Sequence, residues 1–471
     1  MTKQISFIFF MFFISFSLFF QGPNADVMAE ELDNEGVWSK RAAMAQDSLQ
    51  SNFWNAETNL FNNKYPCQNC NDQFHYWWLA HAIDTLVDGY ERTNNDEYLH
   101  QATALFNSIV EKNGGITNQF YDDMLWMGLA LLRLNEYKDD PEIESAVFTL
   151  WEDIKQGWNN EMGGGIAWNK SQLDYKNTPS NAPAVILASR LYQKYDNPDD
   201  LEWAKKIYDW QRSILVDPQT GFVWDGINRT GDGNIDKNWE FTYNQGVYIG
   251  ASVELYRITE EEKYMEAALQ TAETAIDRLA DPITNVLNEQ GGGDGGLFKG
   301  IFIRYLGDLI EEEPQQRYLA PFILDNAESA WELTKSEDKI LFGASWKRAP
   351  ELEIELSQQL SGVMLMEQAS MIENASPPQS LSLLNDMIEQ FETEGEITSD
   401  QAAHSLKLHL TAVRHFEQQE AVEKVVKHLE SFKELLNHQK EQELISNKAH
   451  RLLQATTNDL IEQFADLLKS R

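Results

Sequence analysis

Tyr121-Asp122-Asp123-Met124-Leu125-Trp126-Met127-Gly128-Leu129-Ala130-Leu131-Leu132-Arg133-Leu134 sets two adjacent carboxylates at the head of a strongly apolar helix. Apolar runs of helical period continue on both sides of it, near 36–52, 73–92, 96–112, 121–136, 141–156, 180–195, 199–214, 243–258, 261–280, 296–311, 315–335 and 353–373. Pairs of these segments recur about every 50 to 60 residues, and alternating Val/Ile-rich strands are nearly missing. That pattern predicts an all-α fold in which six helical hairpins close into an (α/α)6 barrel, in preference to any α/β arrangement.

The loops between the segments carry glycine and tryptophan: Gly114-Gly115, Gly163-Gly164-Gly165, Thr220-Gly221-Phe222 and Gly291 to Gly296, with Trp158, Trp168, Trp224 and Trp239 nearby. Glycine permits close backbone approach and an exposed indole offers a flat apolar face, a combination suited to sugar rings; packing between helices is the competing use of each Trp. The composition agrees with a neutral ligand. With 38 Lys+Arg against 75 Asp+Glu, the chain of 471 residues has a formal charge of −37, which argues against nucleic acid as a partner.

After Met371 the polar stretch Glu373-Asn374-Ala375-Ser376-Pro377-Pro378-Gln379-Ser380 reads as a linker. Residues 380–471 hold ten basic and sixteen acidic residues, a net of −6, so −31 of the charge belongs to what precedes them. Val422, Val425, Val426, Leu429, Phe432 and Leu436 form one helical stripe, and Leu452, Leu453, Leu460, Ile461 and Phe464 begin another, which predicts a small helical bundle. The division expected is therefore a leader at 1–29, a large domain at 30–373, a linker at 374–380 and a helical module at 381–471.

The leader follows from Lys3 and the uncharged Phe/Ile-rich run Ile5 to Phe20, with small residues around Val27-Met28-Ala29 at the cleavage spacing of a secretory signal. The run is shorter than the ~20 apolar residues a spanning helix needs. An exported, cell-wall-associated or extracellular protein without a membrane span is expected. The two cysteines, Cys67 and Cys70, then read as a local disulfide; the alternative is zinc with His75 or His81, against which stands the want of a second Cys pair. Asp232-Gly233-Asn234-Ile235-Asp236 alternates oxygen ligands as a calcium loop does, but position twelve would be Tyr243 in place of a bidentate Glu, so the run is read as a turn.

Asp122 and Asp123 admit two readings. Aspartates at a helix start satisfy free amides and the helix dipole. As a catalytic pair, one carboxylate stays ionised as a nucleophile while its neighbour, disfavoured from ionising by a like charge, holds a proton as general acid. Retaining glycosidases set their carboxyls ~5 to 5.5 Å apart and inverting ones ~6.5 to 9.5 Å, and sequence neighbours fit the shorter spacing more easily.

Tyr121-Asp122-Asp123, then Lys176-Asn177-Thr178-Pro179-Ser180-Asn181, Thr242-Tyr243-Asn244-Gln245-Gly246 and Phe298-Lys299-Gly300-Ile301-Phe302 stand in the order found in glycoside hydrolase family 76, the endo-α-1,6-mannanases, which residues 36 to 350 resemble. The resemblance implies an (α/α)6 barrel, a retaining mechanism through a covalent mannosyl-enzyme, no cofactor and no metal in the chemistry. Asp122 would be the nucleophile and Asp123 the acid/base. Asn181, Asn244 and Gln245 carry amides able to donate to and accept from sugar hydroxyls, Tyr121, Trp126 and Tyr243 could stack on mannose, and Lys299 could orient a carboxylate or hydroxyl. For each, capping or core packing is the competing role.

The segment His409-Leu410-Thr411-Ala412-Val413 through Phe432-Lys433-Glu434-Leu435-Leu436-Asn437-His438-Gln439 looks like the small module called FIMAH, found on exported enzymes of Gram-positive bacteria, which implies wall attachment or partner docking. His404, His409, His415, His428, His438 and His450 are scattered over its helices and read as solvated or packed side chains. The leading expectation is a secreted retaining α-1,6-mannanase. Its rivals are a transglycosidase using the same aspartates, an (α/α)6 enzyme acting on uronates, which the acidic balance disfavours, and a silent mannan-binding protein, which the presence of both aspartates disfavours.

Overall fold

The computed structural model describes residues 36–312, 314–336, 339–351, 353–375, 381–419 and 421–469. The expected leader, 1–29, and most of the expected linker, 376–380, lie outside them. Twelve helices occupy the first part: α1 Val37–Phe53, α2 Tyr76–Thr93, α3 Asp96–Asn113, α4 Tyr121–Lys138, α5 Pro141–Lys155, α6 Thr178–Tyr195, α7 Pro198–Ile214, α8 Thr242–Thr259, α9 Glu262–Leu279, α10 Gly295–Glu312, α11 Ala320–Thr334 and α12 Leu356–Ala375.

Four hairpin turns use one device. Asn94, Asp139, Asp196 and Glu260 end α2, α4, α6 and α8 in the left-handed conformation, and the next residue starts the partner helix. At three of them the cap is explicit: Asn95, Asp140 and Asn197 accept from the backbone N–H two residues on. Such a turn reverses the chain in two residues without leaving the first amides of the new helix unpaired.

The even-numbered helices pack side by side in sequence order, and α12 returns to α2, closing an inner ring; the odd-numbered helices lie outside it. The first helix packs on the last, so α12 and α1 make the sixth hairpin, tied by Ser39 Oγ to Ser370 Oγ at 2.8 Å. Inner helices are buried on every side over most of their length, as helices with neighbours all round must be. Glycine lets them approach: a Cβ on Gly246 would stand 2.7 Å from Phe302 Cα, and one on Gly300 2.7 Å from Ser361 Cα. The (α/α)6 expectation is met, with helix boundaries a few residues from those expected.

All six inner helices run the same way, so their N-termini and the long loops gather at one end. A small antiparallel sheet, Ala167–Asn169 with Gln172–Asn177 and Gly226–Ile227, walls that end. Cys67 and Cys70 are joined in a disulfide in the loop between α1 and α2, and Asp232 forms a turn with Asn234. At the opposite end a cavity of 1230 Å³ is walled by ion pairs: Arg133 with Asp84 and Asp88, Arg304 with the same two acids, Arg92 with Glu367.

The remaining helices are α13 Leu381–Thr393, α14 Asp400–Gln418, α15 Val422–Glu441 and α16 Asn447–Lys469. They form two hairpins whose turns meet in an antiparallel bridge between Ile397 and Ile445. Val422, Val425, Leu429, Phe432 and Leu436 are buried as the stripe required. The bundle touches the barrel through Lys448 to Glu273 at 2.7 Å and Arg451 to Asp277 at 3.1 Å. No helix among the described residues is long and apolar enough to cross a membrane.

Candidate active site

Three Asp-Asp pairs occur, at 122–123, 139–140 and 199–200. The second and third serve turns and starts of outer helices; only Asp122-Asp123 opens an inner helix at the loop-bearing end. The capping role is present but minor, for Asp122 Oδ1 accepts from Asp123 N at 3.0 Å while Phe120, in the cap position, offers no side chain to the helix.

The two carboxyls have unequal surroundings. The side chains of Asn177 and Trp168 also favour the charged form of Asp122, whereas Asp123 has Asn118 Nδ2 on Oδ2 at 2.8 Å. Asn177 serves twice, since its Oδ1 caps α6 at Ser180 N. No Lys or Arg forms an ion pair with Asp122 or Asp123 among the described residues, in contrast to the paired acids at the far end of the barrel. Burial therefore raises both proton affinities, pushing Asp122 up to about 7. Asp123 is pushed well up by burial first and then by the charges of Asp122 and Asp294. Hydrogen bonds to Asp122 stabilise its charged form, so when one proton is shared by the pair it rests on Asp123.

Beside the pair, Tyr243 donates to Asp225 Oδ1 at 3.0 Å, as does Asn244 Nδ2 at 3.0 Å, while Tyr175 Oη at 3.3 Å and Arg229 bond Asp225 Oδ2. Asp225 is 2% exposed and locks α8 to the wall sheet. Tyr243 also stacks on Phe298 with ring centroids 3.9 Å apart. Across from these, Trp77 and Trp78 donate to Asp294 Oδ1 at 3.1 and 2.9 Å.

Several of the residues expected to touch sugar bond to or pack against the scaffold, the competing role of each. Asn181 accepts from Ile166 N and donates to the carbonyls of Ile166 and Asn177. Gln245 does the same with Val223 N and Val223 O. Each amide sits one turn into an inner helix and pairs both its ends with the backbone of the preceding loop. Asn244 is buried behind Tyr243. Tyr121 and Trp126 are buried too, the latter packed near Trp77 and His81. Lys299 is 1% exposed with its Nζ 3.9 Å from the centre of the Trp346 ring, and desolvation there lowers its proton affinity well below that of an ordinary lysine. It reaches neither carboxylate.

Trp168 is among the indoles the sequence singles out, whereas Asn118, Asn177, Asp225 and Asp294 are given no role by it. Asn177 lay inside a quoted block and Asp294 inside a glycine run, so an acid or amide immediately before a helix start was the available signal. Among the described residues no group of three or more His, Cys, Asp or Glu side chains is placed to hold a metal.

The family model for glycosyl hydrolase family 76 matches residues 37–382, and that for the FIMAH domain matches residues 381–462. The Lin0763 protein from Listeria innocua is 42% identical, with a TM-score of 0.69 over 72% of this chain and 98% of its own. A GH76A alpha-1,6-mannanase from Salegentibacter sp. is 39% identical with a TM-score of 0.67, covering 71% of this chain and 99% of that one. An inactive variant of that mannanase, with two consecutive aspartates replaced, has been solved in complex with alpha-1,6-mannotetrose. Mannan endo-1,6-alpha-mannosidase DCW1 of Candida glabrata is 28% identical over 52% of this chain, a match spanning 60% of the yeast protein's length.

Proposed function

The chain belongs to glycosyl hydrolase family 76, and from that premise we propose that it is an exported retaining glycosidase that cuts α-1,6-mannosidic bonds within mannan. The observation that carries this reading is the unequal hydrogen bonding of two adjacent, cation-free carboxyls at the loop end of the inner ring. Asp122, held by Asp123 N, Asn177 and Trp168, attacks the anomeric carbon. Asp123, carrying the proton, gives it to the glycosidic oxygen as the bond breaks, which frees the leaving sugar and leaves a mannosyl ester on Asp122. Asp123, now ionised, takes a proton from water, which attacks the anomeric carbon, breaks its bond to the Asp122 carboxylate and releases the mannan fragment with the original α configuration at its new end. Tyr243, half-buried beside Asp225, is the aromatic from the sequence reading best placed to meet a sugar.

The relatives support the substrate, since the Salegentibacter mannanase binds an α-1,6-linked oligosaccharide when its consecutive aspartates are replaced. Export is supported by the leader at 1–29 and the Cys67–Cys70 disulfide. We assign 30–373 to catalysis, 374–380 to a linker, and 381–471 to wall or partner docking. Digestion of linear α-1,6-mannan by residues 30–471, with products followed by NMR, tests the reaction. Newly released α-anomers from wild type, and none from Asp122→Asn, are expected; β-anomers as first product would make the enzyme inverting, and transfer to added mannosides without hydrolysis would make it a transglycosidase. Docking is tested by retention on Gram-positive walls of the full chain beside one ending at 380.

A further inference from the structure

Asp294 stands directly before α10, at the end of Gly291-Gly292-Gly293. One of its oxygens, Oδ1, takes two indole N–H groups from adjacent residues of α2, Trp77 and Trp78. The residue is nonetheless exposed, and its Oδ2 has no protein partner among the described residues. Two donors on one oxygen hold the carboxylate in place and leave the second oxygen unpaired on an exposed residue.

The site has two flanks. Tyr76, beside those two indoles, donates to Ile116 O at 2.6 Å in the loop whose Asn118 bonds Asp123, and the charge of Asp294 raises the proton affinity of Asp123; on the other flank Tyr243 is bonded to Asp225. An acid/base works on the glycosidic oxygen and so faces the leaving sugar; a nucleophile faces the anomeric carbon. We propose that Asp294 is a substrate-binding residue whose free Oδ2 accepts a hydroxyl of the sugar on the leaving-group side, with Trp77 and Trp78 as its mount. A carboxylate with a spare oxygen suits a pyranose bearing neighbouring hydroxyls, because an ionised acceptor makes the stronger hydrogen bond. The inference rests on the proposed glycosidase reading and adds to it the residue that selects a sugar leaving group.

The test compares the full mature chain with Asp294→Asn on two substrates, α-1,6-mannotetraose and an α-1,6-mannobioside carrying a nitrophenyl leaving group. Asn keeps an oxygen for the indoles but turns an amide toward the sugar. Loss of one charged hydrogen bond predicts a fall in kcat/KM of about tenfold to a hundredfold on the tetraose. The fall on the nitrophenyl substrate, which has no sugar in that position, is expected to be at least tenfold smaller. Removing the mount in Trp77→Phe/Trp78→Phe should give the same discrimination to a lesser degree. Equal losses on both substrates, or none on either, would overturn the assignment. A wild-type chain that cleaves neither would defeat the glycosidase reading itself and the inference with it.

Discussion

Replacing Asp122 with Asn should make the protein more stable as pH rises, at the cost of its reaction. Asp122 goes from 3.8 to about 7 on folding, roughly three units, because burial penalises its charge more than its donors repay. At 1.36 kcal/mol per unit this is about 4 kcal/mol as a ceiling. Asp122 keeps part of its surface in the cleft and shares its proton with Asp123, so about 2 kcal/mol is the working figure. The sign follows from linkage: a carboxyl with raised folded affinity contributes fully below the unfolded value, and that contribution is lost as pH climbs through the folded one. Asn has no such loss. Its amide also meets the donor side chains of Asn177 and Trp168 less well, a penalty of about 1 kcal/mol that does not vary with pH. The pH dependence of the difference is therefore the informative quantity. Urea unfolding of both proteins at pH 4, 5, 6, 7 and 8 should show the variant gaining on wild type by about 2 kcal/mol across the series. Parallel curves, or a variant that falls behind as pH rises, would show that Asp122 is not desolvated and that the assignment of the shared proton is unsound.

Asp225→Ala strips an acceptor from Tyr243, Asn244, Tyr175 and Arg229 at once and should cost about 3 to 5 kcal/mol by urea midpoint, with a parallel fall in kcat; unchanged stability would mean the wall sheet is held elsewhere. Asn181→Ala and Gln245→Ala strand the N–H groups of Ile166 and Val223 and should each cost about 1 to 3 kcal/mol while KM for mannan stays within about twofold. A tenfold rise in KM with stability intact would restore them to the sugar. Lys448→Ala with Arg451→Ala should alter the thermal midpoint little, since partly exposed pairs contribute under about 1 kcal/mol each. EDTA should leave hydrolysis unchanged, because every step proposed runs through carboxyls; loss reversed by a divalent cation would refute that.

The helices and the aspartate pair were readable in the chain because their causes are local. Periodicity, Asn or Asp before a helix, and a left-handed residue before that lie within a few positions of each other, and Asp122 and Asp123 are neighbours whatever the fold. The surroundings of the amides were not readable, for the opposite reason. An Asn one turn into a helix can face a cleft or a returning loop, and for Asn181 and Gln245 the choice was made by loop backbone 15 and 22 residues earlier. Lys299 likewise was decided by Trp346, which no spacing rule links to it.

What the sequence by itself determined is the set of helices, their pairing, the charge that turns polyanions away, and which carboxyls stand side by side. Only the tertiary structure supplies a physical reason for Asp123, of the two, to hold the proton. That depends on Asn177 and Trp168 reaching Asp122 from beyond its own helix, on the charge of Asp294 acting on Asp123 from the loop before α10, and on burial of the pair with no cation beside it. Proton affinity is set by the field and solvation at one point in space, and residues from several helices and loops meet at that point only when the ring has closed.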